Sequence, residues 1–291
     1  MKKSMFKLFV TVLISMMATS AVAGDKVSAY LLAPFQDVSS ASKALEKANF
    51  EVLSTYESSH DGITIVFTND ELKKAASKDK RGFASVLRLL VNSDVDCKND
   101  DLCKREDKNR VISIDNPVYF LKAFLQDDYN EGLATSITAS LKSALSPKAD
   151  FKLSSDALDD DDLAGYHFMM GMPYYEDMEE LAEADNAKLL RAVKKYKKGK
   201  NLLFSLKVGE STLVGYALSS RTSKFVRKIG IDKAQVLPYT ILITDGKAYA
   251  LAPKYYLAIS YPLLSMGDFM TISTVPGAII KELKKPFKKL K

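Results

Sequence analysis

The sequence predicts an α+β protein built from two related β-α-β-β-α-β-β-α units. Each unit has a mostly antiparallel sheet with helices on one face, and the two pack as an intrachain pseudo-dimer. Internal repetition carries the prediction. "ASVLRLLV" (84–91) is matched by "AQVLPYTI" (234–241) at an offset of 150, and "NPVYFLKAF" (116–124) by "APKYYLAIS" (252–260) at an offset of 136. Upstream, "YLLAPFQDV" (30–38) pairs with "FMMGMPYYEDM" (168–178), with two extra residues in the second. All three pairs occur in the same order.

The first residues read as a secretory signal peptide. Lys2, Lys3 and Lys7 precede an apolar run from Leu8 to about Met17, and Ala21-Val22-Ala23 offers small residues for cleavage before Gly24. The expected division is signal peptide 1–23, first unit 24–145, acidic linker 146–165, second unit 166–280 and basic tail 281–291. A cleaved signal of this style implies a periplasmic location.

Within the first unit a strand, "VSAYLLAPF", leads to a helix from Asp37 to Ala48. Val38, Ala41, Ala44, Leu45 and Ala48 fall on one face of that helix. A hairpin follows, "FEVLSTYE" and "GITIVFT", around His60-Asp61-Gly62. Then come a short helix (70–78), the strands "FASVLRLLV" and "RVISID", and a last helix opened by Pro117, where proline suits the first turn. The second unit reads the same way. Its strand is "YHFMMGMPYY", and a longer helix runs from about Asp177 to Lys198. A hairpin turns around Gly209-Glu210-Ser211, and a short helix spans 223–229. A second hairpin turns at Asp245-Gly246, and Pro253 opens the last helix.

This order, with "LPYTILITDGKAYALAP" late in the second copy, resembles the bacterial family known as domain of unknown function 302. The resemblance covers most of each copy through short motifs. It implies a fold and no activity. Some members of that family carry one cysteine just before the Asn-Pro step and another after the Leu-Pro step. Asp115 and Tyr239 stand at those places here, so thiol chemistry is not implied for this chain.

The segment 166–180 holds His167, Met169, Met170, Met172 and Met178. Aligned with Leu31 and Leu32, Met169 and Met170 read as core residues of a strand, since methionine fills irregular gaps. The rival reading is a soft-metal site at His167 and Met169. The only cysteines, Cys97 and Cys103, lie where the first copy is 14 residues longer than the second (150 minus 136). In an oxidising compartment they are expected to form a disulfide that staples a hairpin tip. No P-loop, dinucleotide fingerprint or nucleophile elbow occurs, and no catalytic, cofactor-binding or metal residue is assigned. Asp159–Asp162 lack the spacing of a calcium loop. The tyrosine-rich "PVYFLKAF" and "PKYYLAISYPLL" read as core, with an apolar groove between the copies as the alternative.

The formal net charge is +6. Removing the three signal lysines leaves +3, and residues 281–291 alone carry six lysines and one glutamate, or +5. The remainder is therefore near −2, which argues against a nucleic-acid partner. The lysines of "VKKYKKGK" (193–200) suit the end of a helix. The functional expectation is a secreted, non-enzymatic binding or accessory protein for a small apolar ligand or a protein partner. Weak contact of the C-terminal lysines with the inner-membrane surface is a further option. The alternatives are copper handling through His167 and Met169, and an enzyme without a recognisable motif.

Overall fold

The computed structural model describes residues 25–60, 62–92 and 111–290. The segment expected to be a signal peptide (1–23) and the expected Cys97–Cys103 disulfide lie outside the described residues. The first unit contains β1 (Lys26–Ser28), β2 (Tyr30–Pro34), α1 (Val38–Lys47), β3 (Glu51–Ser59), β4 (Gly62–Thr68), α2 (Asp70–Ala75), β5 (Leu87–Asn92), β6 (Val111–Asp115), α3 (Pro117–Leu125) and α4 (Glu131–Leu145). The connection adds β7 (Lys152–Leu153) and β8 (Ala157–Asp159). The second unit contains β9 (Glu179–Glu183), α5 (Asn186–Lys195), β10 (Leu202–Val208), β11 (Ser211–Tyr216), α6 (Ser220–Ser223), α7 (Val226–Ile229), β12 (Tyr239–Thr244), β13 (Lys247–Ala250), α8 (Pro253–Ser260), α9 (Met266–Thr271) and α10 (Val275–Leu283). The α+β class is as the sequence predicts.

The two large sheets have one topology. The first runs β3-β4-β5-β6-β2-β7 and the second β10-β11-β12-β13-β9, with every neighbour antiparallel. Each unit thus places the first strand of its large sheet, β2 or β9, beside the last, β6 or β13. Asp37 caps α1 and Asp185 caps α5, each accepting hydrogen bonds from backbone N–H groups of the first turn. Pro117 and Pro253 open α3 and α8. At the β12–β13 hairpin, Asp245 and Gly246 take φ of 45° and 73°, the two left-handed residues that a type I′ turn needs.

The second unit begins differently from expectation. Residues 166–175 are an irregular loop, and the first strand is β9. The matching helix is α5, ten residues long like α1, and not the longer 177–198 helix. The cap residues set the offset at 148 (185 minus 37). The pairing of "YLLAPFQDV" with "FMMGMPYYEDM" is therefore out of place, because β2 corresponds to residues about 178–182. Gly171, at φ +81°, sits in the left-handed region that interrupts a strand.

Strands β5 and β12 are buried at each described side-chain position, so both faces of each sheet are covered at its centre. One cover is each unit's own helices. The other is the partner unit. The 3₁₀ segment 231–236 of the second unit lies on β3, β4 and β5, and the 3₁₀ segment 82–85 of the first lies on β11 and β12. Gly82 marks how close this approach is, since a Cβ there would meet Leu242 Cδ1 at 2.3 Å. The exchange extends to the last helices. Tyr119 Oη donates to the Ile259 carbonyl at 2.9 Å, and Tyr255 Oη to the Ala123 carbonyl at 3.2 Å. Both donors and both acceptors differ by 136 (255 minus 119; 259 minus 123). Such reciprocity is the mark of a two-fold interface, here inside one chain.

The connection 146–165 does more than tether the units. It pairs β7 with β2 and β8 with β1. At the C-terminus, α10 packs on α8, and the 3₁₀ turn Lys285–Phe287 packs on α5. Ile279, Leu283 and Phe287 are buried. No helix of the described residues is long and apolar enough to cross a membrane.

Candidate functional site: a methionine-tipped loop over an open cleft

The loop that replaces the expected strand is pinned at several points. Tyr175 is buried, donates to the Lys80 carbonyl at 2.7 Å and stacks on Phe124 with centroids 5.9 Å apart. Arg81 lies over the Tyr175 ring and donates to Glu176 at 2.6 Å. Phe168 rests on Phe269 of α9, and the His167 ring sits 4.4 Å from that of Tyr174. Between these anchors the Met172 N–H donates to the Met169 carbonyl at 2.9 Å. With Gly171 at φ +81°, residues 169–172 form a type II turn.

The tip of this turn points outward. Met170 is 95 % exposed, and Met169 is also exposed. They are therefore not core residues. The physical reason is that the Leu31 and Leu32 positions they were matched to belong, in register, to Glu179 and Glu180. Met266, Met270 and Leu263 are exposed on or beside α9, the helix against which Phe168 packs. This end of the second unit gathers apolar side chains that the fold leaves in water.

Beside the turn lies an open cleft of about 740 Å³. Met172 and Pro173 form one wall. Pro253, Pro276 and Ile280 supply apolar surface opposite, and Asp177, Glu179 and Lys254 bring charge. The cleft therefore joins three stretches far apart in sequence: the loop, the start of α8 and the first turns of α10. Of the residues singled out in the sequence, His167 and Met169 belong to the loop above it. Among the described residues no group of three or more His, Cys, Asp or Glu could hold a metal ion.

In the tyrosine-rich segments Tyr119, Tyr255 and Tyr256 are buried. The inter-unit core does hold a charge pair that sequence reasoning missed. Arg88 of β5 and Asp115 of β6 are both almost wholly buried. The Arg88 N–H donates to Asp115 Oδ2 at 2.9 Å, and the guanidinium lies 4.0 Å from the same oxygen. Arg88 also lies over the ring of Tyr256, which meets Tyr239 edge to face at 5.1 Å. Gln235 reaches across from the second unit and donates to Ser113 Oγ at 3.0 Å. Burial pushes the Asp115 carboxyl up to about 7, against the pull of Arg88. Asp115 and Tyr239 are thus linked in one buried cluster through Arg88 and Tyr256.

Against family models, curated proteins and solved structures, the chain has no match.

Proposed function

We propose that this chain is a secreted, periplasmic binding or accessory protein without a catalytic role, and that it takes its ligand or partner at the methionine-tipped cleft. One observation carries the reading: Met170, 95 % exposed, is displayed on a loop anchored on both sides, directly beside the cleft. Thioether side chains suit such a surface because they are apolar, flexible and polarizable, and so adapt to a partner's shape. The mixed lining fits an occupant that is largely apolar and carries charge at one end.

The test is native mass spectrometry of protein taken from the periplasm, set beside a Met170→Ser, Met172→Ser variant. A co-purifying small molecule or peptide that is lost in the variant supports the cleft. The same cargo on both proteins overturns it.

Soft-metal handling is the second reading, and the turn favours it. A loop is free of the alternation that would split a strand's side chains between two faces. Met169 and Met172 close one turn, with His167 two residues before Met169. Thioether and imidazole donors suit copper(I). This reading expects copper retained through dialysis by the parent protein and lost on Met169→Leu.

A further inference from the structure

The two units treat the same sheet edge differently. In the first, β7 lies along β2, pairing Leu153 with Leu31 and Lys152 with Leu32. Further backbone bonds continue this cover, from the Ser154 N–H to the Tyr30 carbonyl at 3.0 Å and from the Ala29 N–H to the Asp156 carbonyl at 2.6 Å. In the second unit, β9 ends its sheet, and among the described residues no strand lies on its far side. The correspondence is fixed by register. Leu31 pairs with Ile114, and Glu179 pairs with Ala250, at offsets of 148 (179 minus 31) and 136 (250 minus 114). Glu179 and Glu180 therefore hold the places of Leu31 and Leu32, the residues that β7 covers.

The open edge also borders the cleft, since Asp177 and Glu179 line it. We infer that β9 receives an extended, lysine-bearing peptide as an added strand, in the position β7 occupies on the first unit, with apolar side chains of that peptide entering the cleft. Addition of a strand to an exposed edge is a standard mode of peptide recognition, in which main-chain bonds give affinity and pockets give specificity. The charge of the partner follows from the edge. Glu179, Glu180 and Glu183 lie on β9, with Asp177 just before it. Glu180 is engaged by Lys247 at 2.8 Å, and Lys254 is the cation of the cleft lining. Carboxylates remain in excess, so a basic strand is favoured over an acidic one. The fold's own example has this composition, with Lys152 between Phe151 and Leu153. The inference rests on the reading of this end as the binding end, and names the kind of partner.

The probe is a blocked heptapeptide of alternating leucine and lysine, titrated into the full chain. A second peptide of equal charge carries proline at alternate positions and cannot donate main-chain hydrogen bonds there. Strand addition predicts slowed hydrogen exchange across Glu179–Glu183 and binding roughly tenfold weaker for the proline peptide. A similar loss is expected for the first peptide on a Glu179→Lys, Glu183→Lys variant. Equal binding of the two peptides would reduce the effect to charge attraction and overturn the inference. Binding that leaves β9 exchange unchanged, yet is lost in Met172→Ser, would also overturn it while leaving the cleft reading intact. Absence of binding by either peptide overturns the inference alone, because the co-purification experiment judges the cleft separately.

Discussion

By sheet register, Arg88 and Asp115 in the first unit occupy the places that Thr240 and Leu251 hold in the second, at offsets of 152 (240 minus 88) and 136 (251 minus 115). One fold thus fills equivalent positions with a buried ion pair in one half and with uncharged residues in the other. The second unit shows that the architecture does not require charge there. The pair is a feature of the first unit, and what it contributes to stability is open to a direct test. Taking charges out of water offsets most of their attraction, whereas removing one partner strands the other.

The largest expected effect comes from breaking that pair. Arg88→Ala should destabilise the protein by about 3–5 kcal/mol in urea denaturation, and an Arg88→Met, Asp115→Leu double replacement should recover most of the loss. A double variant as unstable as the single one would show that the two units are not comparable at this position. The pH dependence sharpens the point. The Asp115 carboxyl is raised from 3.8 to about 7, so between those values the native state holds a proton that the unfolded chain releases. This contribution to stability is complete below about pH 4 and is lost as pH rises through 7. Asp115→Asn should flatten that part of the stability profile. An unchanged slope would mean that Arg88 keeps the carboxylate ionised throughout.

The next effect lies at the helices that follow β4 and β11. Asn69 caps α2 with its own side chain, accepting from the Leu72 N–H at 2.8 Å. At the matching place Ser219 makes no such cap. Instead Glu282 of α10 accepts from the Ser219 N–H at 2.6 Å, from its hydroxyl at 2.9 Å and from the Thr222 hydroxyl at 2.7 Å. A local cap in one unit is a long-range latch in the other. Glu282→Ala should cost about 2 kcal/mol, since hydrogen bonds to a buried charge are at stake, and Asn69→Ala about 1 kcal/mol. Thermal denaturation of the two variants would reverse the comparison if Asn69 proved the costlier.

Much of the fold was legible because its signals are local. The Asp245-Gly246 turn, the prolines that open α3 and α8, and the apolar face of α1 each announce their element within a few residues. The start of the second unit was not legible. "HFMMGMPYY" looks apolar enough for a strand, although Gly171 and Pro173 are both strand breakers. The true strand, "EELAE", contains no β-branched or aromatic residue. Its pairing with β13 makes it a strand, and its own propensity argues against it. The candidate site divides in the same way. His167 and Met169 stood out by composition. The rest of the cleft lining includes residues 252–254, 276, 277 and 280, which only the tertiary fold brings to the loop. Arg88 was invisible as a partner of Asp115, because pairing across strands 27 residues apart leaves no periodic trace.

A smaller effect tests the two-fold relation itself. Tyr119→Phe and Tyr255→Phe remove reciprocal hydrogen bonds to carbonyls in the opposite unit. Each should cost about 1 kcal/mol, and the two costs should agree in chemical denaturation. A large inequality would show that the matched geometry hides unequal packing.

The smallest expected effect concerns the C-termini of the two units. Helix α4 ends the first with one basic residue in its last turn, Lys142. The second ends with lysines 281, 284, 285, 288, 289 and 291. If these lysines touch an anionic membrane surface, the contact is purely electrostatic. Leu283 and Phe287, the side chains that would enter the lipid, are already buried against the protein. Attraction of this kind is screened within a Debye length, about 10 Å at 0.1 M salt. Co-sedimentation with anionic vesicles should therefore be weak at low salt and absent at high salt. Deleting residues 281–291 would confound the result, because it strips Phe287 from the core. Reversing the exposed Lys288 and Lys289 to glutamate leaves the docked residues in place. Loss of low-salt binding in that variant supports the surface contact, and unchanged sedimentation removes it, leaving the lysines as solvated residues on a docked helix.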